Sequence, residues 1–232
     1  MKAEFSPIGI LRSPFREKFG IPRQPGLAPH AMSRLVLLPE FSSAACVDGL
    51  EGFSHLWLLF LFHGTAAQGW QPSVRPPRLG GNARRGVFAT RSMFRPNPVG
   101  LSAVELVGIV DGLHGKELLL RGADLLDGTP ILDIKPYIPY ADARPDARAG
   151  FAPVAPTTLP VHWTENAQAQ AGALQLSGDL RCLIAEVLAQ DPRPAYRHDS
   201  EDNNEYGVWL DTVNVRFCCR DGVMQVLAVE PR

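Results

Sequence analysis

The chain has 232 residues, 45% of them hydrophobic and 20% charged, an ordinary globular balance that excludes wholesale disorder and suits one large domain or a medium one plus a small one. The longest apolar run, residues 56–62, falls far short of the about 20 residues a membrane helix needs. The start, Met1-Lys2-Ala3-Glu4-Phe5, leads into polar sequence rather than a secretory core, so a cytoplasmic protein without membrane contact is expected.

In chain order, short apolar or β-branched segments predict strands over residues 5–11, 33–38, 55–62, 86–90, 101–110, 116–121 and 131–134, separated by Pro- and Gly-rich turns. No long amphipathic helix alternates with them, which disfavours a parallel sheet and favours a β-barrel or sandwich. From residue 140 to 160 the composition turns to Ala and Pro and reads as a linker or extended crossover. Beyond it, Leu180, Leu183, Ile184, Val187 and Leu188 recur at helical spacing, with Ser177 or Asp179 as cap and a stop at Asp191-Pro192. Residues 206–219 and 223–229 flank Arg220-Asp221-Gly222 as a hairpin. The expected class is mainly β, with a barrel over residues 1–140 and a small α+β unit over residues 141–232.

The formal net charge of −1 hides an asymmetry. Residues 1–100 hold 12 Lys+Arg against 5 Asp+Glu, whereas the remainder holds 11 against 19. No acid lies between Glu51 and Glu105, and Arg75, Arg78, Arg84, Arg85, Arg91 and Arg95 all fall inside that gap. A solvated face normally mixes both signs; a single-signed cluster attracts polyanions, RNA among them. Cys46, Cys182, Cys218 and Cys219 have no metal-ligand spacing and read as free thiols. His55 and His63 lack a third ligand, so no metal is expected.

Three polar clusters combine rigid backbone with unpaired function. Residues 13–26 form a Pro-stiffened loop carrying cations and an amide, suited to a small polar ligand or simply a surface loop. In residues 91–100, Pro96 and Pro98 pin the backbone around Asn97, with Arg91 and Arg95 beside it and Phe94 available to stack on a base; the plain alternative is a Pro-stabilised turn. Residues 124–137 contain Asp127-Gly128-Thr129-Pro130, a tight turn able to cradle hydroxyls or merely to join two strands. No glycine-rich dinucleotide fingerprint, Walker loop or serine-hydrolase elbow is present in the sequence.

Pro22-Arg23-Gln24-Pro25-Gly26, Phe88-Ala89-Thr90-Arg91-Ser92, Arg95-Pro96-Asn97-Pro98, Asp127-Gly128-Thr129-Pro130, Asp133-Ile134-Lys135-Pro136-Tyr137 and Asp191-Pro192-Arg193-Pro194-Ala195-Tyr196-Arg197 stand in this order. Together they resemble the TrmO (TsaA-like) family over nearly the whole chain. That resemblance implies a non-Rossmann β-barrel methyltransferase, a homodimer using S-adenosylmethionine to methylate the exocyclic amine of N(6)-threonylcarbamoyladenosine beside the tRNA anticodon. It implies a cofactor site of Arg23, Gln24, Pro25, His63, Gly64, Arg91, Leu101, Leu126, Asp127, Gly128 and Thr129.

The amide-like acceptor nitrogen is a poor nucleophile, so a group that polarises its N–H or takes its proton would help. Asn97, Asp133 and Tyr137 are the candidates. Arg75, Arg78, Arg84, Arg85, Arg95, Arg193 and Arg197 are the candidate contacts to tRNA phosphates. Two rival readings stay open: a non-catalytic RNA-binding barrel, and an enzyme acting on a small nucleotide.

Overall fold

The structure, a computed structural model, describes residues 4–198 and 204–231; Met1, Lys2 and Ala3, which open the N-terminus read above, lie outside the described residues. Alternation builds the first sheet. Its strands are β1 (Gly9–Arg12), β2 (Met32–Leu37) and β3 (His55–Leu61), then, after a separate two-stranded ribbon of β4 (Ser73–Val74) and β5 (Arg85–Gly86), β6 (Val99–Gly112), β7 (Gly115–Arg121) and β8 (Thr129–Pro136). Leu56, Leu58 and Phe60 of β3 are buried while their neighbours are exposed or half-buried, the period-2 signature of a sheet with one core face. The six long strands pair antiparallel in the order β1-β2-β7-β6-β3-β8, and β8 pairs back onto β1, closing a barrel. Closure removes the free edges that would otherwise invite intermolecular pairing.

Leu11, Leu35, Leu56, Leu58, Leu118, Leu120 and Ile131, all fully buried, fill the interior, each contributing roughly 1.5–3 kcal/mol of burial free energy. Gly100 lies opposite Phe60 on this face, and a Cβ there would sit 2.2 Å from the Phe60 ring. Gly100→Ala is therefore expected to destabilise the fold by about 1–3 kcal/mol through overpacking, read as a lower urea midpoint with an unchanged slope.

Helix α1 (Ala44–Val47) lies between β2 and β3, and α2 (Pro139–Asp142) follows the barrel. The second unit comprises β9 (Val161–Trp163), α3 (Glu165–Ala173), α4 (Gly178–Ala189), β10 (Tyr206–Leu210), β11 (Val213–Arg220) and β12 (Val223–Pro231), with sheet order β10-β11-β12-β9. Ser177 caps α4 by accepting from the Leu180 N–H, and Asp221 (φ 50°) with Gly222 (φ 72°) turns β11 into β12.

Two sequence expectations are corrected, and one helix is added. The long first hairpin arm is two strands, because Asp211 takes a left-handed φ of 51° and turns the chain between β10 and β11. Residues 86–90 are mostly a 3₁₀ turn, Val87–Ala89, rather than a strand. Helix α3 was not foreseen: its Ala- and Gln-rich sequence has no apolar stripe, and only Ala167 and Ala171 are buried.

The second core does not stop at the linker. Phe15, Ala28 and Ala31 belong to it, with Phe19 and Ile21 packed against it. Glu186 of α4 accepts from the His30 N–H at 3.0 Å and meets its ring Nδ1 at 2.5 Å, while Glu17 accepts from the Trp209 N–H at 2.9 Å. The β1–β2 connection thus welds the two units together.

Candidate active site

Because adjacent barrel strands run antiparallel, the connections β1–β2, β3–β6 and β7–β8 all emerge at one end. They are residues 13–31, 62–98 and 122–128. Two of the sequence's polar clusters lie almost wholly within them, and the third, residues 124–137, supplies its first five residues before running down β8. One barrel mouth gathers what the chain keeps far apart.

At the mouth, Arg91 donates to the Gln24 side-chain oxygen, joining the first and second loops. Lys18 donates to the Gly64 carbonyl, and a Cβ on Gly64 would lie 3.0 Å from Lys18 Cε and 3.4 Å from Leu126 Cδ2. His63 is tied to the Asn97 turn, since the Phe62 N–H donates to the Pro98 carbonyl at 2.8 Å. Exposed Asn97 therefore stands beside His63 and Gly64. Asp127 is fully engaged: its carboxylate takes the Ser13 N–H at 2.9 Å and Arg16 Nη1 at 2.6 Å. Thr129, buried, donates to the Leu126 carbonyl at 2.6 Å and tightens the turn around Gly128, whose φ is 78°. Half-buried Pro25 completes the first loop, and the pKa of the Arg23 guanidinium is held below its ordinary value by burial, with Asp191 pulling it up and Arg78 pushing it further down.

The residue that sequence reasoning did not select is Asp124, the first member of the third cluster. Its carboxyl accepts from Ser102 Oγ at 2.6 Å inside the mouth, and burial raises its pKa, with the Ser102 hydrogen bond and the charge of Arg91 pulling it back. Only the partial burial of Asp124 and its pairing with Ser102, twenty-two residues away, single it out. A carboxyl raised in the folded state favours folding most below its ordinary pKa of 3.8, and that contribution is lost as pH rises through the folded value. Asp124→Asn keeps an acceptor for Ser102 but cannot ionise. Its stability relative to the native chain should therefore increase with pH above 3.8, which urea titrations across a pH series would measure.

Other candidates are not brought to the mouth. Tyr137 follows β8 at the opposite end, its N–H donating to the His55 carbonyl at 2.9 Å and its ring packed against Trp57. At about 3.3 Å per residue, β3 separates it from His63 by roughly 20 Å. Asp133 stands on the outer barrel face, where Lys135 (2.9 Å) and the Ile134 N–H (2.8 Å) hold its carboxylate. Leu101 is 53% exposed in the same outer row, although its neighbour Ser102 points inward to Asp124. His55 and His63 lie at opposite ends of the barrel, and among the described residues no group of three or more His, Cys, Asp or Glu could hold a metal.

The arginine-rich loop proves to be internally braced. Arg84 donates to Ser73 Oγ and carbonyl at 2.9 and 3.0 Å, Arg85 to the Arg84 carbonyl at 2.8 Å, and Arg78 to the Val154 carbonyl. Arg95 donates to the carbonyls of Val87 (3.2 Å) and Thr90 (2.8 Å). Arg75 is exposed. Opposite this loop comes the C-terminal segment, with Ala195 Cβ 3.7 Å from where a Cβ on Gly81 would lie. There Arg193 is 3% exposed and forks onto Asp191 with two 2.8 Å bonds, while Arg197 lies over the exposed Tyr196 ring. Expected as a phosphate contact, Arg193 instead spends its guanidinium inside the protein.

Residues 10–143 match the family model of the tRNA-methyltransferase O N-terminal domain, and residues 156–232 that of the TrmO C-terminal domain. The chain belongs to the TrmO family. Across 231 residues it is 52% identical to the tRNA (adenine(37)-N6)-methyltransferase of Escherichia coli (strain K12), covering 99% of this chain and 98% of that protein. A relative from Pyrococcus abyssi, named "Probable S-adenosyl-L-methionine-binding protein", is 40% identical over 149 residues, 63% of this chain and 74% of its own. The crystal structure of TrmO from Pseudomonas aeruginosa superposes with a TM-score of 0.81 at 45% identity, covering 99% of this chain and 98% of that one.

Proposed function

We propose that this chain uses S-adenosylmethionine to methylate the exocyclic N(6) amine of adenosine 37 in tRNA carrying the threonylcarbamoyl modification. The observation that carries this reading is the convergence of Gln24, Gly64, Arg91 and the Leu126, Asp127, Gly128, Thr129 turn at one mouth around half-buried Asp124, next to an arginine-rich loop without acids. The names of relatives, a tRNA (adenine(37)-N6)-methyltransferase and an S-adenosyl-L-methionine-binding protein, support the same activity. The reading carries with it a cytoplasmic homodimer.

The residues fit the cofactor. Asp124 is a carboxyl whose ionised form is disfavoured by burial and only partly offset by the charge of Arg91, so a cationic ligand would stabilise it further. Arg91 suits a ligand carboxylate. His63 and Pro25 would border the same space. When bound, S-adenosylmethionine supplies a methyl group activated by its sulfonium. The protein's own part is alignment: holding the acceptor amine in line contributes more than acid–base chemistry when the leaving group departs readily. Asn97, rigid between two prolines, orients the amine by accepting from it, and no proton removal is assigned to Asp133 or Tyr137. Arg75, Arg85 and Arg197 meet phosphates, while Arg78, Arg84 and Arg95 hold the loop that presents them.

Incubation with S-adenosylmethionine and tRNA that does or does not carry the threonylcarbamoyl group, followed by nucleoside mass analysis, tests this. A methyl gain on N(6) of the modified adenosine alone is expected. Cofactor binding without any methyl gain would reject the proposed reaction, and tRNA binding without cofactor affinity would favour a non-catalytic RNA-binding barrel.

A further inference from the structure

Phe88 is 76% exposed at the centre of the arginine-rich loop, although its neighbour Val87 is 1% exposed. The contrast is built into the local backbone. Val87 donates its N–H to the Pro72 carbonyl at 3.1 Å, and its own carbonyl takes the Thr90 N–H at 3.1 Å and the Thr90 hydroxyl at 2.8 Å. With Val87 pinned inward inside a 3₁₀ turn, the next side chain must point out.

The ring is also held from one side. Arg95, fixed by the carbonyls of Val87 and Thr90, lays its guanidinium over the Phe88 ring at 5.7 Å from the centroid. A cation–π contact on one face of a ring leaves an oriented, solvent-facing π surface on the other. Phe94, the aromatic that the sequence offered for stacking, is only half-exposed, and its carbonyl is occupied by the Gln71 N–H. Exposing a large apolar ring in water has no benefit to the fold, and the arginines around it would repel a basic protein surface. An unpaired nucleobase satisfies both features: its π face stacks on the ring while its phosphates meet the cations.

We infer that Phe88, backed by Arg95, is a stacking platform for an unpaired base of the RNA substrate, an inference that rests on reading the chain as RNA-acting. The platform lies on the same loop as Arg91, three residues before it.

The test compares Phe88→Ala, Phe88→Leu and Phe88→Trp in the full chain, with folding checked by thermal melts. RNA binding is read by fluorescence anisotropy of a labelled anticodon stem-loop, and cofactor binding by calorimetry. The Ala and Leu variants are expected to weaken RNA binding by about 5- to 100-fold with S-adenosylmethionine affinity unchanged. The Trp variant should retain binding, and its added indole fluorescence should be quenched by the RNA. Leu binding RNA as well as Phe would overturn the inference, because an apolar contact would then suffice, as would parallel loss of RNA and cofactor binding. The binding assay needs no turnover, so native protein that transfers no methyl while Phe88 variants still lose RNA would defeat the proposed reaction and leave the platform standing.

Discussion

Arg193→Ala is expected to cost about 3–5 kcal/mol of folding free energy, because it leaves the Asp191 carboxylate buried without its counter-charge. The pair is bidentate at 2.8 Å, with side-chain exposures of 3% and 11%. Asp191 also sits in the left-handed region with φ 48°, and His198 approaches both partners, its Nε2 lying 2.9 Å from the Arg193 carbonyl and 3.6 Å from Asp191 Oδ2. These contacts fix the chain where it leaves α4 and turns toward Ala195 and the Gly80-Gly81 loop. Equilibrium urea unfolding measures the loss. Replacing both partners together, Asp191→Leu with Arg193→Met, should cost much less than Arg193→Ala, since no lone charge remains. If Arg193→Ala unfolded at the native midpoint and instead bound tRNA weakly, Arg193 would be an RNA contact after all.

The second large effect is expected at Arg91. Its guanidinium joins the first two mouth loops through Gln24 and acts electrostatically on the half-buried Asp124 carboxyl. A charge-assisted hydrogen bond to a ligand contributes about 1.5–3 kcal/mol, so Arg91→Ala should weaken S-adenosylmethionine binding by about 10- to 100-fold. Because Arg91 is exposed and outside both hydrophobic cores, its replacement should leave the thermal midpoint nearly unchanged. Calorimetric titration with S-adenosylmethionine, alongside a melt, separates the two quantities. Unaltered affinity with an intact fold would exclude Arg91 from the cofactor site, and with it the mouth as assigned.

Short apolar and β-branched segments separated by turn residues made a mainly β chain legible, and the spacing of Leu180, Leu183, Ile184, Val187 and Leu188 made α4 legible. Both are local signals that a sequence carries directly, whereas the continuous apolar run of β3 read as a strand buried on both faces and proves to have one core face. The three polar clusters were legible for the same reason: Pro, Gly and charge mark loops. What alternation cannot carry is which ends of the strands meet. The antiparallel order β1-β2-β7-β6-β3-β8 decided that loops distant in sequence share one mouth, that Asp124 pairs with Ser102 inside it, and that Tyr137 stands at the other end.

The arginines show the same division. Their count and the absence of acids over residues 52–104 follow from the sequence alone and set the sign of the surface. Whether a particular guanidinium is available depends on partners brought by folding: Asp191 takes Arg193, Ser73 takes Arg84, and two carbonyls turn Arg95 onto Phe88. Charge is a property of composition, whereas a hydrogen bond needs an acceptor within about 3 Å, and only the tertiary structure supplies that.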